Sequence, residues 1–354
     1  PISPRQKPPI TPNPLWLFLH SSPLLFPKTM IPIRYLRGVE LPSHHFWLDP
    51  SIRQSFAFVS HAHYDHIAPH SSIVATPHTA RFLQSRLPKP RQEHLLQFGE
   101  RRTFHDFAIT LLPAGHICGS AQAYLETSQG SLLYTGDFKL RQGFCAEPAE
   151  WRHAETLIME TTFGRPRYRI PPTIAVLQQI VDFCQETIAD HSIPVLLAYS
   201  LGKAQEAICA LIQAGLNPML HPAVFKMTEI HRELLPHFPP NYLAFNPQNL
   251  PGHVLISPPN ASLSLLLANH PKHRSAILSG WAIDPQAIHR YGCDAAFPLT
   301  DHADYDDLIR YVELVQPQRV LTLHGFAADF ATDLRRRGID AWALSQPNQL
   351  ELPF

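Results

Sequence analysis

His61, His63, Asp65 and His66 put four metal-ligating side chains into six residues, His61-Ala62-His63-Tyr64-Asp65-His66. The apolar run Phe56-Ala57-Phe58 and then Val59-Ser60 lead into them, so the cluster sits where a buried strand runs out into a loop. In an extended segment His61 and His63 project to the same side. A turn after them can swing Asp65 and His66 towards a second point close by. Imidazole nitrogen suits zinc or manganese, and a carboxylate adds hardness and negative charge. One such segment can supply half the ligands of a two-metal site. The chain has 22 histidines, so a His-rich surface loop is the plain alternative, but this spacing at a strand end favours a metal.

Further along, His116 follows a strand in Pro113-Ala114-Gly115-His116-Ile117-Cys118-Gly119-Ser120, between glycines that let the backbone approach a ligand closely. Tyr134-Thr135-Gly136-Asp137-Phe138 ends another strand with an Asp, and a carboxylate there can bridge two cations. Each is a weak signal alone; their order and their strand-end placement give the combination its weight. Asp49, in Trp47-Leu48-Asp49-Pro50, ends the strand before the cluster. It is placed either to hydrogen-bond a ligand histidine or to form an ordinary turn before proline. Ser200, Gly202 and Lys203 open a helix after a strand, where free backbone N–H groups could hold a phosphate; an ordinary helix cap would read the same way.

The elements that must position these residues come from short apolar runs. Phe46–Leu48, Phe56–Val59, Ile73–Ala75, Ala108–Leu112, Ala121–Leu125, Ser131–Tyr134 and Thr156–Met159 read as strands, and Pro77–Leu87 as a helix capped by Thr76. After Gly164 the texture changes: a helix over Pro172–Ala189, a buried strand over Val195–Ala198, a helix over Leu201–Ala214, then continued alternation to Ser279-Gly280, as in a parallel open sheet. Strands at Ala296–Leu299 and Val320–Leu323, joined by a helix over Tyr305–Val315, return the chain to the motif-bearing layer.

A chain of 354 residues, 45% hydrophobic and 16% charged, is large enough for a sizeable core and is globular rather than disordered. Lys+Arg 29 against Asp+Glu 29 leaves no net field, so a nucleic-acid partner would need a local basic stripe. Arg165, Arg167 and Arg169 are candidates, as is Arg335-Arg336-Arg337, although the triplet reads better as a solvated face. Five cysteines without a CxxC spacing argue against a disulfide framework or thiolate zinc and for a reducing compartment, the cytoplasm. The 36 prolines crowd the N-terminus. The apolar patch Leu15–Phe26 is interrupted by Pro23 and too short to span a bilayer. Residues 1–29 are expected to be disordered or an upstream extension, with Met30 the more natural start.

Together these residues resemble a known family. His61-x-His63-x-Asp65-His66, His116 and Asp137 are similar to the metal motifs of the metallo-β-lactamase fold. Glu160 in Met159-Glu160-Thr161-Thr162-Phe163-Gly164, then Asp301-His302-Ala303-Asp304 and Leu323-His324-Gly325, resemble the additional motifs of its β-CASP nuclease branch. Tyr199-Ser200-Leu201-Gly202-Lys203-Ala204-Gln205-Glu206 is similar to the start of that branch's inserted domain. With Leu299-Thr300-Asp301-His302-Ala303-Asp304-Tyr305, the wording looks most like the bacterial ligase-associated DNA exonucleases.

The resemblance implies an α/β fold: an αββα sandwich over residues 30–165 and 286–354, with an α/β β-CASP insertion over 166–285. It implies two divalent ions, Zn²⁺ and/or Mn²⁺. His61, His63 and His116 would hold one, and Asp65, His66 and His324 the other, with Asp137 bridging and an activated water as nucleophile. His302 would sit by the scissile phosphate as acid or charge stabiliser, oriented by Glu160. Arg165, with Ser200, Gly202 and Lys203, would bind substrate, and Asp49 would support a ligand. The implied activity is DNA exonuclease in repair, in association with an ATP-dependent DNA ligase and without a membrane. An RNA-processing nuclease of the same branch is the nearest alternative. A small-molecule metallo-hydrolase shares the metal set but needs neither the insertion nor the Glu160/His302 pair. A scaffold that had lost its ligands would show gaps, and every ligand position here carries a competent side chain.

Overall fold

The short apolar runs assemble into three sheets. The computed structural model describes residues 30–345 apart from 89, 90, 269 and 271. The N-terminal stretch 1–29, expected to be disordered or an upstream extension, lies outside the described residues. The first sheet comprises β1 (Arg34–Tyr35), β2 (Val39–Leu41), β3 (Phe46–Leu48), β4 (Phe56–Phe58), β5 (Ser72–Ala75) and, after helix α1 (Pro77–Arg86), β6 (Gln92–Leu95). They lie in sequence order, antiparallel up to β3 and parallel from there on. The second sheet begins with the meander β7 (Arg101–Phe104), β8 (Phe107–Pro113), β9 (Ala121–Thr127) and β10 (Gly130–Tyr134). It is extended in parallel by β11 (Thr156–Glu160) and then by two strands from the end of the chain.

Between β11 and those last strands, the chain builds a third, all-parallel sheet. In chain order it comprises α2 (Thr173–Ala189), β12 (Ile193–Leu197), α3 (Lys203–Gln213), β13 (Pro218–Leu220), α4 (Pro222–Leu234), β14 (Leu243–Ala244), β15 (Val254–Ser257), α5 (Leu263–Leu266), β16 (His273–Leu278), α6 (Ala287–Tyr291) and β17 (Ala295–Phe297). The chain then returns through α7 (Tyr305–Val315), β18 (Arg319–Leu323), α8 (Ala327–Arg336) and β19 (Ala341–Ala343). Among the described residues no helix is long and apolar enough to cross a membrane.

Side-chain alternation decides the layering. Leu132, Tyr134 and Ile158 of the second sheet face Leu41, Phe46, Leu48 and Phe58 of the first, in one shared core. Their neighbours Leu133, Leu157 and Met159 point the other way, against Leu308, Tyr311 and Val312 of α7 and Phe330 of α8. On the far side, Phe82 and Leu83 of α1 cover Ile73 and Ala75 of β5. Strand β8 is buried along its whole length because both of its faces are covered.

Three differences from the sequence reading have physical causes. Ala296–Leu299 was expected to rejoin the motif-bearing layer, whereas β17 pairs in parallel with β16 of the third sheet. A short apolar run does not specify which sheet receives it. Strands β6 and β7 escaped notice because Gln92-Glu93-His94-Leu95 and Arg101-Arg102-Thr103-Phe104 are polar, as edge strands are. Helix α8 was missed as well; it starts directly after the His324-Gly325 motif and breaks the pattern there.

Phe46 sits fully buried between the two core sheets, its ring 4.7 Å from Phe56 and 4.9 Å from Phe107. Phe46→Ala is expected to cost about 3–5 kcal/mol of stability in urea unfolding. An unchanged midpoint would contradict this layering.

Candidate metal centre

Sheet direction gathers the site. Strands β8 and β10 run the same way, each antiparallel to β9, and β10, β11 and β18 are parallel. Their carboxyl ends therefore share one edge, the place where parallel sheets present ligand sites. His116 follows β8, Asp137 follows β10, Glu160 ends β11 and His324 follows β18. The facing sheet contributes His61, His63, Asp65 and His66 beyond the end of β4.

His61, His63, His116 and Asp137 each bring a ligand atom to one point, and His66, Asp137 and His324 do so at a second. Asp137 belongs to both sets. His63 Nδ1 lies 3.1 Å from His61 Nε2 and 3.1 Å from His116 Nε2, and Asp137 Oδ2 is 3.6 Å from His61 Nε2 and 3.3 Å from His66 Nε2.

The remaining ring nitrogens fix which of these atoms carry protons. His63 Nε2 donates to the Leu201 carbonyl at 3.0 Å, and His116 Nδ1 to the Asp301 carbonyl at 2.7 Å. Ser60 Oγ gives its proton to Asp49, 2.5 Å away, so it accepts from His61 Nδ1 at 2.9 Å. Each inner nitrogen is thereby left with a lone pair, and the lone pairs point at one another with no proton between them. Burial lowers the basicity of these rings: His61 falls well below the usual range, and His63 and His116 to about 4. Three neutral imidazoles and a carboxylate aimed at one point form a donor set that a divalent cation satisfies. The residues fit a metal.

The second point is charged differently. His66 Nδ1 donates to Asp49 Oδ2 at 3.0 Å. Burial opposes protonation of His66, but Asp137 and then Asp49 outweigh it and raise its pKa well above the usual value. A cation there would displace that proton, so its apparent affinity weakens as the pH is lowered. His324 joins from a left-handed backbone, φ 60°, and Gly325 follows at φ 54°. A Cβ on Gly325 would stand 2.4 Å from Thr162 Cα, so only glycine lets the loop close over β11. Asp65 is the outlying member, its side chain 79% exposed and its carboxylate 3.8 Å from His66 Nε2.

Asp49 stands beside the cluster and is hydrogen-bonded to His66. Its buried carboxylate accepts from the Ser60 amide at 2.7 Å, the Ser60 hydroxyl, His66 and the Tyr134 hydroxyl at 3.0 Å. Beside the cluster, His302 Nδ1 donates to both oxygens of the fully buried Glu160, at 2.9 and 3.0 Å. Glu160 is held in turn by the Phe138 amide and by Thr162 Oγ1. Burial works against a charged His302 ring, but Glu160 and then Asp137 push it up to about 9. The His302 and His116 ring centroids are 4.7 Å apart.

The expected substrate contacts are already engaged within the chain. Lys203 forms a buried ion pair with Asp301, and the Gly202 amide donates to Gln205 Oε1 at 2.8 Å. The Ser200 carbonyl accepts from Gln205 Nε2 at 3.1 Å. Arg165 pairs with Asp329 at 2.9 Å and stacks on Phe326, 4.1 Å from the ring centroid. Sequence reasoning gave no role to Asp301, whose backbone carbonyl orients His116 while its carboxylate neutralises Lys203. Its position next to His302 was the available signal.

Comparison with known proteins adds the following. No family model matches the chain. It is 53% identical over 322 residues to a "Probable DNA ligase" of Opitutus terrae, covering 90% of this chain and 32% of that protein. It is 30% identical to the "5' exonuclease Apollo" of Gallus gallus over 47% of this chain and 38% of that protein. An "RNase J-like protein" of Methanocaldococcus jannaschii is 30% identical over 33% of this chain and 28% of that protein. The chain thus spans about a third of the length of these curated relatives. Two of the three are named as nucleases. A crystal structure of a protein of unknown function from Enterococcus faecalis shares the fold, with a TM-score of 0.53, 13% identity and coverage of 76% of this chain and 75% of that one.

If Asp49 orients His66, Asp49→Asn should weaken metal affinity by about 10–100-fold in chelator competition. Unchanged affinity in a folded variant would remove that role.

Proposed function

We propose that this chain is a two-metal nuclease of the metallo-β-lactamase fold, β-CASP branch, cutting phosphodiester bonds of DNA from an end in the course of repair. The observation that carries the reading is the His302–Glu160 pair beside a ligand set doubled across Asp137. The metal set alone would serve a small-molecule hydrolase as well, so the pair is what turns the reading towards phosphodiesters. The 5′ exonuclease relative supports the activity. The relative named a probable DNA ligase matches nearly the whole of this chain, which supports a functional tie to DNA ligation. The RNase J-like relative favours a second reading, RNA cleavage by the same site.

His61, His63 and His116 would hold one ion, and His66, His324 and Asp65 the other, with Asp137 shared. Bound there, divalent cations, Zn²⁺ or Mn²⁺, supply Lewis-acid chemistry: charge neutralisation at the phosphate and acidification of the attacking water. The chain's own residues do the rest. His302, protonated below about 9, presents an acidic ring nitrogen to the leaving oxygen. Glu160 accepts from the other nitrogen and so fixes both the orientation of the ring and its charge. Asp301 and Leu201 fix the tautomers of His116 and His63 through backbone carbonyls. The 166–285 insertion would roof the cleft and guide the strand.

The test is cleavage of 5′- and 3′-labelled single- and double-stranded DNA and RNA with Mn²⁺ or Zn²⁺. Stepwise shortening of DNA, abolished by His63→Ala or Asp137→Ala, is expected; full activity in either variant would sink the assignment. RNA cleaved in preference to DNA would select the second reading.

The acid role of His302 has its own signature. The protonated ring is present below its pKa and lost above it, so the rate falls on the alkaline side. Glu160→Gln removes the charge that raises that pKa, and the alkaline limb should move to lower pH. His302→Ala should lose rate but keep its metal by elemental analysis. An unmoved limb, or lost metal, would contradict the role.

A further inference from the structure

Two exposed tyrosines flank the cluster, and nothing above uses them. Tyr64, between His63 and Asp65, is 71% exposed, and Tyr199, in the loop from β12 to α3, is 61% exposed. Among the described residues no other large aromatic side chain is more than half exposed, Trp151 at 47% coming next. Both stand at the same site: Tyr64 adjoins Asp65 in the chain, and burial raises the Tyr199 pKa with Asp301 and Asp65 close enough for their charges to add to the effect.

Each ring is backed by a cation that is itself tied into the site. Arg86 Cζ lies 4.6 Å from the Tyr64 centroid, and its Nη1 donates to the Ala62 carbonyl at 2.5 Å. Lys203 Nζ lies 5.2 Å from the Tyr199 centroid and pairs with Asp301, whose carbonyl orients His116. Tyr199 stands two positions before Leu201, whose carbonyl receives His63 Nε2–H. Both rings are thus held against the ligand scaffold on one face, one from the core and one from the third sheet, and open to solvent on the other.

We infer that Tyr64 and Tyr199 form a stacking clamp for the unpaired terminal bases of a nucleic-acid strand, setting its register against the metal centre. The inference rests on the nuclease reading and deepens it, since it names the substrate class: an end whose last nucleotides are single-stranded. Rings stack on any base, so the grip carries no sequence preference. A paired end keeps its bases stacked within the duplex and cannot offer them. Lys203, neutralised by Asp301, serves here to fix a ring rather than to bind a phosphate.

The test crosses protein variants with substrates. The intact chain, Tyr64→Ala, Tyr199→Ala and the corresponding Phe variants are given a single-stranded oligonucleotide with normal or abasic terminal nucleotides. With the intact chain, abasic ends should raise KM by roughly 5-fold or more, the least that one lost base–aromatic stack gives, with kcat little changed. Each Ala variant should raise KM on the normal strand and narrow the gap between normal and abasic ends, and the double Ala variant should close it, while Tyr64→Phe and Tyr199→Phe behave as the intact chain. Thermal melting and metal content control for folding. Equal KM for normal and abasic ends, or full discrimination retained by both Ala variants, overturns the clamp. An intact, metal-loaded chain that cleaves no strand overturns the nuclease reading and the clamp with it.

Discussion

The site depends on one electrostatic constraint: nitrogen lone pairs forced to face one another. Neutral imidazoles with inner nitrogens 3.1 Å apart and no proton between them repel. Burial keeps His61, His63 and His116 uncharged, and the outer nitrogens are pinned by a hydroxyl and two carbonyls, so none can rotate to relieve the contact without losing a bond. A divalent cation at that point would relieve the repulsion, and the clustered donors are able to hold one.

The architecture serves that constraint in two steps. Parallel alignment of β10, β11 and β18 sets Asp137, Glu160 and His324 along one edge, and the packing of the two core sheets brings β4's loop over it. The supporting groups come from further off. Asp49 joins Ser60, His66 and Tyr134 in one buried network, and Asp301 ties the end of the third-sheet segment to His116 and Lys203.

Much of this was legible in the sequence, and for a definite reason. His61 to His66, His116 and Asp137 announce themselves because ligand residues stand where apolar runs stop, a local signal. The short apolar runs likewise placed most core strands, and Thr76, Pro172 and the stretch Tyr305–Val315 marked helices found nearly residue for residue. Pairing across distance was not legible. Lys203 reads as a free phosphate anchor until Asp301, far along the chain, is seen against it; Ala296 reads as core until β17 is seen beside β16. The exposure of Tyr64 and Tyr199 is not legible either, since residue type alone does not say which way a ring points.

The most direct measurement is the number of ions per chain. Metal-free protein dialysed against excess Zn²⁺ or Mn²⁺ and then passed through a desalting column can be assayed by elemental analysis. About two ions per chain, falling when Asp137 is replaced by Ala, is the result a doubled ligand set requires. One ion or none, or a stoichiometry indifferent to Asp137, would contradict it.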